Sequence, residues 1–554
     1  MLQRTRTSHT YSRARTTAVL LLTLGLGLMP SDAAAQLNFD NVQFWHQDSP
    51  DILGMSEEGD SFGAALASGD FNNDGYPDAA IGVAGENIGD IEQAGTVHVL
   101  YSGPNGLSEQ GNQLWSRDTP NVLGDPEAFD NFGAALTSGD FDGDNYDDLA
   151  IGTPGAIVDG KTGAGAVHIL YGGPDGLAAA DNQLFTQDTP GLLGEAEPGD
   201  IFGFALAAGD FNRDGFADLA IGVEGEDINP DNAGAVSVVY GSGTGLAVEG
   251  NQFWHEDSPD IEGTAALDDA LGTSLAVGDF DNDGFDDLAA GAPGVIAGNP
   301  VAGAVNVIYG SQGGLASAGN QQWVQGEGGL LDTAEDGDFF GWRLAAGDFN
   351  GDGFDDLAAS ADGESLGKFG EAGQVSVIYG AAGGLSAIGN QVWHQNSAGI
   401  DDQAEPGDFF GTGSLTAGDL DNDGFDDLAV GSPLEDLESA KGMTGTVFEF
   451  AGIVNVIYGR AQGLTATGDQ RSFKFDDAEG GELLGTSLVA ADFNLDGFDD
   501  LAAGARRSAA EAEGVPAGTV VVVPGKAPPN LVEDLERQLR ALKALQQLLS
   551  LLAF

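Results

Sequence analysis

Apolar residues along this chain come in short runs separated by Gly and by acidic clusters, and the runs recur in one order. An alternating run such as FGAALASGD (Phe62 to Asp70) is followed by a compact one of the form DLAIG (Asp148 to Gly152). A β-branched run comes third, as in GAVHILYG (Gly165 to Gly172), GAVNVIYG (Gly303 to Gly310) and GQVSVIYG (Gly373 to Gly380). The fourth carries an aromatic, as in NQLWSRD (Asn112 to Asp118) and NQFWHED (Asn251 to Asp257). Runs this short, bounded by Gly, predict strands rather than helices. Between the first and second runs lies one acidic pattern, found seven times, starting at Asp70, Asp140, Asp210, Asp279, Asp348, Asp419 and Asp492. The intervals are 70, 70, 69, 69, 71 and 73 residues. A fixed period with four strands per unit predicts an all-β fold, a seven-bladed β-propeller with four-stranded blades.

Within the acidic pattern, positions one, three, five and nine carry Asp or Asn, and position seven offers its backbone carbonyl. The candidate ligands are Asp70, Asn72, Asp74, Tyr76 and Asp78 in the first unit and Asp140, Asp142, Asp144, Tyr146 and Asp148 in the second. The third has Asp210, Asn212, Asp214, Phe216 and Asp218; the fourth has Asp279, Asp281, Asp283, Phe285 and Asp287. The fifth has Asp348, Asn350, Asp352, Phe354 and Asp356, and the sixth has Asp419, Asp421, Asp423, Phe425 and Asp427. Asp492, Asn494, Asp496, Phe498 and Asp500 complete the set. An oxygen-only shell on a sharply turning loop suits Ca2+, which takes about 6 to 8 oxygens. Gly at position six supplies the turn, with Asn145 in its place once, a residue that tolerates positive φ. Plain Asp/Gly turns have similar composition, but unmetallated carboxylates this close repel one another. An EF-hand needs Glu at position twelve, where this chain has Ile81, Ile151, Ile221, Ala290, Ala359, Val430 and Ala503. The expected cofactor is Ca2+, about seven ions, one per blade.

These residues resemble the FG-GAP repeats of the integrin alpha-chain β-propeller. The FG element stands as Phe62-Gly63, Phe132-Gly133, Phe202-Gly203, Phe340-Gly341 and Phe410-Gly411, and is weakened to Leu271-Gly272 and Leu484-Gly485. The GAP element is complete at Gly291-Ala292-Pro293, approximate at Gly152-Thr153-Pro154 and Gly431-Ser432-Pro433, and has drifted at Gly222-Val223-Glu224. The resemblance covers about residues 38 to 525. In integrins only some blades carry the Ca2+ loop, and this chain resembles a version with all seven filled. The resemblance also implies that ligands meet the face opposite the Ca2+ loops. That face is built here from the fourth-to-first loops, such as Asp48 to Ser61, and the second-to-third loops, of which Ser432 to Ala451 is the longest.

The ends of the chain predict how the ring closes. QFWHQDSP (Gln43 to Pro50) matches a fourth strand, yet the last unit stops at its third, GTVVVVPG (Gly518 to Gly525). The N-terminal strand should close blade seven and cover its open edge. Residues 1–35 read as a signal peptide: Arg4, Arg6, Arg13 and Arg15 precede an apolar run from Ala18 to Met29, and Ala33-Ala34-Ala35 offers a cleavage site. Residues 36–526 form the propeller and 527–554 a linker and C-terminal amphipathic α-helix, with Leu531, Leu535, Leu539, Leu542, Leu545, Leu549 and Leu552 on one face. That helix is a candidate for self-association. No stretch reads as transmembrane, and the expected location is secreted.

Charge and chemistry narrow the function. With a formal net charge of −69, nucleic acid is excluded as a partner. There are no cysteines, so no disulfides and no cysteine nucleophile. Neither HExxH, a P-loop nor a Rossmann fingerprint is present. His46, His255 and His394 share one repeat position and His98 and His168 another, which marks them as structural. Trp45, Trp115, Trp254, Trp323 and Trp393, with Phe185 and Phe473, share a third; packing between blades explains them better than a sugar-stacking ring. Trp342 and Arg343 break the pattern. The chain therefore reads as a non-catalytic binding or adhesion module for an extracellular protein or glycan. A glycan-binding lectin or polysaccharide-active enzyme using the opposite face is the alternative.

Overall fold

The computed structural model describes residues 41–228, 232–294, 302–400, 403–438, 447–448, 450–466, 471–473, 482–506 and 518–525. The signal peptide and C-terminal helix expected from the sequence lie outside them. No helix is present among the described residues.

Seven four-stranded antiparallel sheets follow one another around the ring. Blade two is representative, with strands Ala135–Gly139, Asp148–Thr153, Ala166–Tyr171 and Ala178–Phe185 pairing in sequence order. Blade seven is assembled from both ends of the chain: Leu484–Ala491, Asp500–Ala505 and Thr519–Val523, then Gln43–Trp45 as the outer strand. Gln43 pairs with Val522 and Trp45 with Val520. Blade six carries an added two-stranded hairpin, Leu437–Glu438 with Val447–Phe448, within its long second-to-third connection.

The second and third strands are buried on both faces, which is why they read as unbroken apolar runs. Strand alternation divides each between two neighbours. Leu149 and Ile151 join a cluster with Val97 and Val99 of blade one, whereas Ala150 faces blade three with Phe141 and Ile169. There is accordingly no single core. Seven apolar clusters each straddle two blades, and the one joining Phe493 and Val520 to Ile81 and Leu100 closes the ring.

The FG and GAP glycines are contact points between blades. A Cβ on Gly152 would sit 2.2 Å from the Gly203 carbonyl of the next blade, and Gly203 itself holds φ +88. The preceding Phe202 is fully buried and bridges in parallel to Gly165. This explains why the first strand starts later than its run: Phe62 bridges to Gly518, and the ladder itself begins at Leu66.

Candidate metal centres

Each first-to-second-strand hairpin places its acidic loop on one face of the ring. The loop is organised by its own carboxylates. In the first, Asp70 accepts the N–H of Asp74 (3.0 Å) on one oxygen and of Gly75 (2.8 Å) on the other. Asn72 accepts from Asp74 (2.8 Å), and Asp74 from Tyr76 (3.0 Å). Asp78 accepts from Phe71 (3.2 Å) and from Ser102 (2.9 Å) on the third strand. The fully buried side chain at position two, Phe in six loops, anchors each loop in the blade. The bonds from position one to the amides of positions five and six recur in all seven loops.

Three loops with Asp at position three bring their carboxylates together. Oxygens of Asp140, Asp142 and Asp148 lie within 4.8 Å of one another, as do those of Asp279, Asp281 and Asp287 and of Asp419, Asp421 and Asp427. The Asn loops differ. Asn350 donates to Asp356 at 3.2 and 3.3 Å and Asn494 to Asp500 at 3.0 and 3.2 Å, so a hydrogen bond ties position three to position nine. In the third loop the Asn212 side-chain oxygen is buried with no donor. Asp144, Asp214, Asp283 and Asp352 at position five are spent on the N–H of position seven. The position-seven rings reach the preceding loop. Phe216 lies against Gly143, Phe425 against Gly351, and the Phe285 ring is 5.9 Å from the Arg213 guanidinium.

Burial raises the position-nine carboxyls of Asp78, Asp148, Asp218, Asp287 and Asp356 to about 8 and that of Asp500 to about 7; loop carboxylates add to the rise and backbone donors oppose it. Asp427 is pushed well above its ordinary range for the same reason. A buried carboxyl beside other carboxylates is relieved by a cation. The orphaned Asn212 oxygen and the all-oxygen donor sets fit a hard divalent ion. Loop six departs from this: Arg460 donates to Asp421 (3.3 Å) and Asp423 (2.6 Å) and supplies part of the positive charge itself.

Position eight was not legible as a functional position. Asp147 accepts the Asp70 N–H at 2.8 Å and returns its own N–H to the Asp70 carbonyl at 3.1 Å, linking adjacent loops. Asp286, Asp355, Asp426 and Asp499 do the same. The doubled Asp at positions eight and nine was its only signal. A second link is the Tyr and Gln of the first five units: Tyr171, for one, donates to Gln183 and accepts the Leu246 N–H (3.2 Å) of the next blade.

The histidines are packing groups. His98 and His168 are fully buried, edge-on to Phe62 and Phe132 at 5.3 and 5.2 Å, and burial lowers them to about 4 and about 3. Trp115 and Trp323 are buried within clusters between blades, and Trp45, Trp254 and Trp393 each pack against another such cluster. On the opposite face, a cavity of about 480 Å³ is lined by Ser61, Trp342, Arg343, Thr412, Leu483 and Arg506, among others. Arg343 donates to the Gly413 carbonyl (2.9 Å) and the Trp342 carbonyl (3.0 Å), and the Trp342 indole N–H is buried without an acceptor. Among the described residues neither Arg343 nor Arg506 has a carboxylate within 4.0 Å.

The FG-GAP repeat family model matches residues 62–100, 132–170, 202–239, 271–308, 340–378, 411–450 and 484–523, one match per blade. Phosphatidylinositol-glycan-specific phospholipase D of Bos taurus is 32% identical over 222 residues, 39% of this chain and 25% of that protein. Integrin alpha-PS2 of Drosophila melanogaster is 34% identical over 175 residues, 30% and 12% respectively. Integrin alpha-V of Gallus gallus is 32% identical over 253 residues, 44% and 21%. The chain thus spans a quarter or less of each of these relatives.

Proposed function

The chain is an FG-GAP repeat protein, and from that premise we propose that it is a secreted, Ca2+-stabilised propeller acting as a non-catalytic binding or adhesion module. The observation that carries this reading is the division of labour between faces. One face holds seven oxygen-rich loops locked to one another, which is a structural use of charge. The other holds the 480 Å³ cavity, of the size that binds small ligands, lined by Trp342, Arg343 and Arg506, neither arginine having a carboxylate of a described residue within 4.0 Å. Relatives named as integrins support the adhesive role. The ions would be held by positions one, three, five and nine, with the carbonyl of position seven, and would supply positive charge between carboxylates. Residues 1–35 act as the signal peptide, 36–526 as the propeller, and 527–554 as linker and helix, the last a candidate for self-association.

A glycan ligand is the second reading, favoured by Trp342, whose aromatic ring and free indole N–H suit a sugar ring. The test is a glycan and matrix-protein array probed with residues 36–554 in millimolar Ca2+, with a chelated control and an Arg506→Ala variant. One ligand class should bind, and Arg506→Ala should weaken it roughly tenfold, about 1.4 kcal/mol, without lowering the melting temperature. Binding indifferent to both the variant and the chelator removes the cavity from the proposal. Turnover of a bound polysaccharide would replace the module by an enzyme.

A further inference from the structure

The face opposite the acidic loops has a repeated junction of its own, and blade five breaks its rule. At each junction a residue two after the outer-strand aromatic meets a Glu that follows the second strand. Gln47 donates to Glu86 at 2.6 Å, Gln187 to Glu226 at 2.5 Å and Gln395 to Glu435 at 2.5 Å. Blade two has Ala156 where the Glu would be, and Arg117 pairs with Asp130 at 2.5 Å instead. In blade four the position is Glu256, which accepts from Asn306 (3.0 Å) and Gln322 (2.7 Å). At each of these junctions a side-chain donor reaches the acidic group, although the amide oxygens of Gln47, Gln187 and Gln395 have no donor of their own.

In blade five the residue at this position donates to no carboxylate. Oxygens of Glu335, Asp338 and Glu364 lie within 4.8 Å of one another, with Asp338 and Glu364 buried and Glu335 exposed. Gln325 occupies the position of Gln47 and Gln187 and is 2% exposed, yet both its amide oxygen and its nitrogen lack a partner. Its counterparts reach the counterparts of Glu364, which aims it into the same cluster. A fourth carboxylate enters from Asp332, at φ 77, where the first four junctions have Gly54, Gly124, Gly194 and Gly263. A Cβ on Gly54 or Gly194 would lie 3.8 or 3.3 Å from the Gln47 or Gln187 amide, so a side chain at this position is directed at the junction. Gln374 donates to Asp332, and at 3.4 Å to Glu364. Three to four carboxylates and an idle amide, closed on the Gln325 side and open through Glu335, make a hard-cation site with an entrance.

We propose that blade five binds one divalent cation of the calcium class between Glu335, Asp338 and Glu364, with the Gln325 amide oxygen as a further ligand, separate from the hairpin loops. Burial and the neighbouring carboxylates raise Glu364 to about 8 and Asp338 to about 6.

Crystals of the whole chain grown in millimolar Mn2+, imaged by anomalous difference density, test this. A peak is expected among Glu335, Asp338 and Glu364, and none among Glu57, Asp60 and Glu86, where Gln47 fills the junction. Glu335→Gln changes an exposed side chain, and Glu364→Gln a buried one. Each should abolish the blade-five peak and leave the hairpin-loop peaks in place. No peak in the unaltered chain, a peak surviving both substitutions, or an equal peak in blade one overturns the proposal. Peaks at blade five with bare hairpin loops would sink the Ca2+-loop reading instead, so the two fail separately.

Discussion

Aspartate serves the acidic loops in three distinct ways. At position one it receives two backbone amides and shapes the turn; at position nine it is buried and polarised by its neighbours; at position eight, in five loops, it reaches the preceding blade. Positions one and nine stood out as acidic because their spacing repeats in the chain, though not the backbone bonds they make. The use of position eight was not legible, since its partner is an amide about 77 positions away, the separation of Asp70 and Asp147. Asp332 was invisible for a related reason: one departure from Gly means little until its positive φ and buried neighbours are known. Away from the loops, Glu86 gives a direct test of buried charge. Burial, then the charge of Asp60, raises it from 4.5 to about 7. A carboxyl raised on folding holds its proton more tightly in the native state. Its contribution is therefore full below pH 4.5 and is lost as pH rises through about 7. Glu86→Gln keeps the acceptor for Gln47 without the charge. Its urea midpoint should decline less than that of the unaltered chain across this window, and parallel curves would refute the assignment.

The order of strands was readable from alternation and Gly spacing because every blade buries the same faces. Their boundaries were less so, since Phe62, Phe202 and Leu271 are apolar yet serve bridges between blades rather than the ladder, whereas Phe340 and Leu484 serve both. The outer strand of blade seven is held to Thr519–Val523 by three residue pairs. Deleting residues 38–50 should leave Val520 to Val522 unpaired on one side. Hydrogen exchange at 519–523 and 500–505 should then accelerate at least about tenfold, while blade three stays protected. Uniform protection after the deletion would mean that the third strand does not depend on this pairing.

The whole chain carries a formal charge of −69, of which seven divalent ions would offset 14. Removing them should therefore cost both their binding free energy and the repulsion they mask. A site filled at about 100 times its Kd contributes about 2.7 kcal/mol. Chelation should lower the melting temperature markedly, and molar NaCl should restore part of the loss, because screening acts on charges that bound ions no longer cover. An unchanged melt after chelation would remove the metal from the account of stability.

The pairing of Gln43 with Val522 has a consequence in time rather than in space. The two residues are 479 positions apart, so the earliest strand to be synthesised is among the last to find its partner. Six blades can form as their own segments emerge, each closing short loops, but the seventh waits until Thr519–Val523 has been made. A chain interrupted anywhere before Thr519 keeps an unpaired first strand, and an incomplete copy thus declares itself to proteases by the segment with which it began.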